Sequence, residues 1–360
     1  GLRSPSNQGR LDLLSVNPQV SPMTRNGFAF SLAVLFSTSI VLAPALRGQE
    51  EAPLSSGRWE LLPEGELPTR RAEGAYVRIG DLFYLVGGRG DRPVEVFDPA
   101  TGVWRGGSAP PIELHHFQAV AHDGLIYVLG AMTGRFPTEP PIPAVYIYDP
   151  ATDEWTVGPE VPEGRRRGGA GAVVHEGLIY VISGIQNGHT DGHVPFLDVF
   201  DPSTGTWRQL ADAPRSRDHF QAGIIDGRIY VAGGRRSSFA TGQTFELTVP
   251  EVDVYDLATG TWSTLPPSSN IPTQRAGAST VVLQGRLIVI GGESGSQQAA
   301  HSEVEALDPA TGTWTTLAPL QVGRHATQAI VYDGAVYTAA GSSIRGAREI
   351  NSQEVFRVAD

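Results

Sequence analysis

The sequence predicts an all-β protein, a six-bladed β-propeller of four-stranded blades whose ring is closed by an N-terminal strand around Trp59. Three observations predict it. A turn phrase returns five times, as DPATGVW ending at Trp104, DPATDEW at Trp155, DPSTGTW at Trp207, DLATGTW at Trp262 and DPATGTW at Trp314. An apolar run closed by small residues occurs six times, ending at Gly88, Ala131, Gly184, Gly234, Gly292 and Gly341. Helical periodicity is absent after residue 50.

Each element follows from its residues. In the turn phrase, Asp can bond its own backbone two residues on, Pro presets φ, and Gly takes the left-handed conformation that closes a short hairpin; Trp then opens the outgoing strand. The apolar run reads as a buried strand, and its paired small residues let the backbone bulge or pass close to a neighbour. Repeats of about fifty residues that keep these parts in order are propeller blades. The order of glycine pair, turn and Trp resembles the kelch repeat, from about Trp59 to Asp360.

The blade count comes from the ends. Six glycine-pair strands are present but only five are followed by a turn and a Trp. The last repeat runs through QEVFRVAD and stops at Asp360, where its final hairpin would begin. At the other end, GRWELLPEGELP around Trp59 has no glycine-pair strand before it and matches TWRQLADAP around Trp207. The strand at Trp59 is therefore expected to complete the sixth blade and remove an exposed sheet edge.

Composition narrows the chemistry. The 360 residues carry a net charge of −11, contain no lysine and draw all 27 cations from arginine. This balance argues against a nucleic-acid partner, which demands a basic face, and it removes Schiff-base lysine chemistry. The absence of cysteine excludes disulfides and thiolate chemistry. Glycine at 43 and proline at 27 suit many tight turns.

Residues 1–22 read as an upstream extension without fixed structure, 23–45 as a signal peptide, 46–56 as a linker and 57–360 as the propeller. Met23-Thr24-Arg25 leads into the apolar run Phe28 to Leu42, and Ala43-Pro44-Ala45 is a small-x-small cleavage pattern. That run is short for a membrane span, which needs about twenty residues. A periplasmic or secreted monomer with no stable span after cleavage is expected.

The kelch resemblance implies that the loops between blades and the loops after the glycine pairs share one face around a central channel, where function in such scaffolds usually lives. Aligning the blades on Tyr84, Tyr127, Tyr180, Tyr230, Ile288 and Tyr337 puts Arg71, Arg167, Arg217, Arg275 and Arg324 at equivalent positions, with Leu114 breaking the series. These arginines are candidates for ligand binding; the resemblance implies instead that they brace neighbouring loops through carbonyls. Two positions later the ring reads Glu73, His116, Gly169, His219, Gly277, Ala326. Gln118, Gln221 and Gln328 fall at equivalent places in alternate blades. They either line a polar pocket suited to hydroxyl-rich ligands or hydrogen-bond the inner strands across the channel.

The loop after the third glycine pair carries His189, Asp191 and His193. Two imidazoles and a carboxylate at this spacing could ligate a divalent metal or do acid–base work, or could be a solvated loop. A single site would require His116, His219 and one of His189 or His193 to approach within about 6 Å. Glu293, Gln297 and His301 resemble the spaced Glu, Asp and His by which kelch-type specifier proteins of plants bind iron, with Gln in place of Asp.

Two functions stay open. One is an exported propeller that binds a glycan, small sugar or protein ligand on the long-loop face, a carbohydrate being the favoured ligand. The other is a carbohydrate-active enzyme, similar to the kelch-type N-acetylneuraminate epimerase (a mutarotase) or to propeller-fold polysaccharide lyases. In that case His116 or His219 would move a proton with Glu73 as partner, and Arg217 or Arg167 would hold a substrate carboxylate. An oxidase like galactose oxidase, which shares the repeat, is excluded because its cofactor requires a cysteine crosslinked to tyrosine.

Overall fold

In the computed structural model, which describes residues 52–63 and 68–358, the apolar runs form the second strands of six four-stranded antiparallel sheets. The expected extension, signal segment and first half of the linker lie outside the described residues. Helix is confined, among the described residues, to four 3-10 turns of three residues each. The innermost strands are Gly74–Ile79, Val120–His122, Gly171–His175, Ala222–Ile225, Ser279–Leu283 and Ala329–Tyr332. Each touches the next, and the sixth touches the first, so the sheets close a ring around an axis.

Closure occurs where the sequence places it. Arg58–Leu61 pairs antiparallel with Gln353–Arg357 as the outer strand of the sixth blade, with Trp59 opposite Phe356. The same cross-strand partnership joins Trp104 to Phe97, Trp155 to Tyr148, Trp207 to Phe200 and Trp262 to Tyr255. The Trp59 and Phe356 rings lie 5.4 Å apart, against 5.0 Å for Phe97 and Trp104. An N-terminal strand thus fills the slot that a local hairpin fills elsewhere.

The turn phrase works as its residues dictate. Asp98, Asp149, Asp201, Asp256 and Asp308 each accept a hydrogen bond from the backbone N–H two residues on. The closing residue is left-handed in every copy, at Gly102, Asp153, Gly205, Gly260 and Gly312.

Each of the five arginines is turned into its blade and is at most 3 % exposed. Each pairs with a carboxylate at the start of the third strand: Arg71 with Glu95 (2.7 Å), Arg167 with Asp198 (2.7 Å), Arg217 with Asp253 (2.6 Å), Arg275 with Glu305 (2.5 Å) and Arg324 with Glu354 (2.5 Å). Each also donates to the carbonyl of the first residue of the small pair, at Gly87, Ser183, Gly233, Gly291 or Ala340. The guanidiniums therefore brace the frame and face no open cavity. The second glycine of the pair makes room for them. A Cβ on Gly184 would lie 2.9 Å from Arg167 Cγ, and one on Gly292 3.0 Å from Arg275 Cγ. The second blade departs at all three linked places: Leu114 replaces the arginine, Tyr146 stands in the carboxylate register opposite Val128, and Ala131 replaces the second glycine. With no arginine to admit, a Cβ is tolerated there.

Gln118, Gln221 and Gln328 line the channel but turn their amides to the backbone. Each amide clips inner strands of other blades. Gln118 Nε2 donates to the Ala222 carbonyl (2.9 Å), while its Oε1 accepts from the N–H groups of Ala172 and Ala222 (both 2.8 Å). Gln221 bridges Thr327 O and Thr280 N, and Gln328 both donates to and accepts from the Ala119 backbone. Their hydrogen-bonding capacity goes to inner-strand ends that the ring would otherwise leave without partners.

Candidate functional site

Above the glutamines, the six ring positions form a circle of main-chain hydrogen bonds. The N–H of Glu73 donates to Ala326 O, His116 to Glu73, Gly169 to His116, His219 to Gly169, Gly277 to His219 and Ala326 to Gly277, at 2.6–2.9 Å. All six residues are left-handed, with φ between 54° and 66°. Gly169 and Gly277 adopt this conformation freely, whereas Glu73, His116, His219 and Ala326 each hold about 1 kcal/mol of backbone strain.

His116 and His219 meet at the axis, and the third-blade loop adds His189. Ile185–Asn187 and Asp191–His193 form a two-stranded hairpin with His189 at its tip. The tip is held from both sides: the His189 N–H donates to Pro137 O (2.8 Å), and the Phe239 N–H donates to His189 O (2.9 Å). Gly188 is required there, because a Cβ would lie 2.5 Å from both Glu139 N and Pro137 O. The rings of His116, His189 and His219 stand 4.6–5.0 Å apart, centroid to centroid. One nitrogen from each lies within 4.8 Å of the others. The expected approach of His116, His219 and a third histidine is met through His189.

Asp191 and His193 do not join them. A β-hairpin sends residues two apart to one side of the strand, and here both side chains on that side are engaged elsewhere. Exposed Asp191 accepts from Asn187 Nδ2 (2.5 Å), and His193 Nε2 donates to Ser237 O (2.7 Å). The structure therefore does not gather His189, Asp191 and His193, and the histidines it brings together are His116, His189 and His219. Glu293, Gln297 and His301 make no common site either. Glu293 binds Arg235 and the Gly346 N–H, Gln297 binds Ala299 O, and His301 lies between Ser294 and Glu303.

The tautomers follow from the hydrogen-bond network. His219 Nδ1–H donates to Asp218 (2.5 Å) and His189 Nδ1–H to Glu139 (3.0 Å). His115 Nε2–H donates to Gly134 O, so its Nδ1 accepts from His116 Nδ1–H (2.6 Å). All three axial histidines therefore present a bare Nε2. Those of His116 and His219 are buried and have no hydrogen-bond partner. Glu73 Oε2 is 3.2 Å from His116 Nε2 but out of hydrogen-bonding alignment. Burial holds the His116 imidazole well below its ordinary range, although Glu73 opposes this. Burial alone would raise the Glu73 carboxyl, but the neighbouring His116, His325 and His219 outweigh it and hold it well below the usual range. The Glu73 carboxyl is thus held toward its ionised form beside an imidazole whose burial disfavours the charged form.

Burial also pushes His219 down to about 4, with Arg235 adding to the effect and Asp218 opposing it. An unfolded histidine titrates near about 6.5. The stabilisation is therefore fully present above about pH 6.5 and is lost as the pH falls toward about 4, because the unfolded chain takes up a proton that the folded site refuses. The expected loss between about pH 6.5 and 5 is about 2 kcal/mol from this group. Equilibrium unfolding in a chelating buffer at the two pH values checks it: His219→Gly should flatten the dependence.

Beside His189 opens a cavity of about 610 Å³, lined by loops of both kinds as the resemblance implies, with Glu73, Arg89, Phe136, His189, Arg235 and Phe245 among its walls; His116 and His219 line a separate, smaller space that shares Glu73 with it. Arg89 pairs with buried Glu139 (2.6 Å), and Arg235 with Glu293 (2.5 Å). Phe136 and Phe239 form an exposed edge-to-face pair, 5.2 Å between centroids, and Phe136 also packs 5.2 Å from His189. Sequence reasoning missed His115, Glu139, Asp218 and the two phenylalanines. His115 and Asp218 were within reach as the residues preceding the ring histidines; no local pattern marks Glu139.

The ring of blades, the glycine pairs and the axial loop face define a kelch-repeat protein. The chain belongs to that family: residues 116–341 match the KLHDC2/KLHL20/DRC7 Kelch-repeats domain. Kelch-like protein terF of Aspergillus terreus is 30 % identical over 319 residues, covering 81 % of this chain and 66 % of that protein. Human Kelch-like protein 23 is 26 % identical over 278 residues, covering 76 % of this chain and 46 % of its own length. The chain thus spans less than two thirds of these relatives. The solved structure entitled "Structure of YjhT" superposes with a TM-score of 0.67 at 18 % identity over 79 % of this chain and 94 % of that one, a likeness of fold.

Proposed function

We propose that this kelch propeller binds a small polar molecule, a carbohydrate of one or two rings, in the axial bowl. The observation that carries the reading is the bowl itself: about 610 Å³, walled by His189, the Glu73 carboxylate, the Arg89 and Arg235 guanidiniums and the exposed ring of Phe136. That volume lies within the range of small-molecule sites. A sugar presents an apolar face that fits an aromatic ring such as Phe136 and hydroxyls that bond charged side chains such as Arg89. Isothermal titration with neutral and acidic sugars tests it. Saturable binding to the wild type, weakened about tenfold or more in Phe136→Ala, is expected; no binding across the panel overturns the carbohydrate reading.

A second reading, catalysis on the same sugar, is favoured by one observation: Glu73 and the bare Nε2 atoms of His116 and His219 face one space in which a proton could move. Incubating a bound sugar in D₂O and following anomer exchange and carbon-bound deuterium by NMR distinguishes an enzyme from a passive binder. Export belongs to the proposal through residues 23–45; N-terminal sequencing of protein recovered outside the cytoplasm should begin at Leu46.

A further inference from the structure

We infer that His116, His189 and His219 bind one divalent first-row transition-metal ion through their Nε2 atoms, with open coordination positions left for water or ligand. This goes beyond the sugar reading and does not depend on it. Among the described residues these three histidines are the group whose ligand atoms gather, within 4.8 Å of one another. Around a tetrahedral ion such nitrogens would stand about 3.4 Å apart, so small ring rotations close the set.

The surroundings make the inference. Histidine ligands almost always donate the second ring N–H to a carboxylate or other acceptor, which fixes the tautomer and raises the basicity of the ligating nitrogen. All three histidines have that arrangement: His219 on Asp218, His189 on Glu139, and His116 on His115, which is itself anchored on Gly134 O. The outcome is a bare Nε2 on each of three rings packed 4.6–5.0 Å apart. Two of these atoms are buried without a partner, which in a polar interior is rare and costly. A cation accepts the lone pairs of all three at once. Glu73, 3.2 Å from His116 Nε2, lies beside the point where the ion would sit and offsets its charge. Only three protein nitrogens converge, which is the pattern of a site that leaves positions for water or ligand. Imidazole donors with no sulfur suit zinc, copper, iron or nickel over calcium or magnesium.

The ring geometry supplies clean variants. Glycine already occupies two of the six left-handed positions, at Gly169 and Gly277, so His116→Gly and His219→Gly remove a ligand while relieving backbone strain. Elemental mass spectrometry of the purified full chain after dialysis, followed by titration of stripped protein with Zn²⁺ and Co²⁺, is the test. About one equivalent is expected in the wild type. His116→Gly, His219→Gly and His189→Ala should each weaken Zn²⁺ binding by a hundredfold or more while melting, metal-free, no lower than the wild type by more than a few degrees. Glu139→Gln and Asp218→Asn should weaken it about 10–100-fold. His193→Ala and His301→Ala should leave it unchanged. Stripped wild type that takes up neither ion, or uptake that survives in the three ligand variants, overturns the inference. A protein that binds Zn²⁺ but no sugar would overturn the carbohydrate reading alone.

Discussion

A chain that lacks residues up to Pro68 is expected to lose its ring. Among the described residues, the strand Arg58–Leu61 is the only partner of the outer edge of Gln353–Arg357, and its removal bares a row of unpaired backbone groups and uncovers Phe356. Trp59, 5 % exposed, contributes to the cluster that joins the fifth and sixth blades. Truncating it alone, Trp59→Ala, should cost about 3–5 kcal/mol, the range for a buried tryptophan. Losing the whole strand should cost more and leave an edge that pairs with a second chain. Urea unfolding of Trp59→Ala and size-exclusion chromatography of the truncated chain are the measurements. A truncated chain that stays monomeric and unfolds at the wild-type midpoint would show that the clasp contributes nothing.

Breaking one buried arginine pair should have an effect of the same size, and repairing it should be possible. Arg275 is fully buried and its guanidinium is shared between Glu305 and the carbonyls of Gly291, Thr273 and Val289. Arg275→Met leaves Glu305 charged and unpaired in the interior, expected to cost about 3–5 kcal/mol. Replacing both, Arg275→Met with Glu305→Leu, removes the stranded charge and should recover most of that loss, since an apolar pair of similar volume often equals a buried ion pair. The second blade already carries this solution in Leu114 and Tyr146, packed in one apolar cluster. A double-mutant cycle by chemical unfolding reads the coupling; additive losses would mean that the pair is not what Glu305 depends on.

The fold was legible because its rules are local. Asp98 captures the Ala100 N–H whatever the rest of the chain does, and the Trp after the turn meets an aromatic directly across the hairpin in four copies of the five, Trp314 meeting Leu307. Even the closure could be read, since an unpaired strand at one end matches a missing one at the other. The site was legible only in part. Lining the repeats up on their core tyrosines brings His116, His219 and Glu73 to one circle, because the blades share one backbone. The HTDGH spacing misled, because ligand spacing read along a chain assumes that neighbours in sequence aim together, and a hairpin with Gly188 at its turn separates His189 from Asp191 and His193. Glu139 escaped entirely: it lies 50 residues from His189, and only the folding of one blade's loop over the next brings them together. The glutamines showed the converse, a pattern repeated in alternate blades that serves the frame.

The circle of six main-chain bonds around the axis has a further meaning. It is made without any side chain, so what stands over the channel can be rewritten one residue at a time while the scaffold beneath keeps its shape. In this protein the six addresses spell Glu, His, Gly, His, Gly, Ala. Another propeller with the same blades and a different spelling would offer its visitors a different reagent shelf, which is how one architecture can hold unrelated chemistries at the same geometric spot.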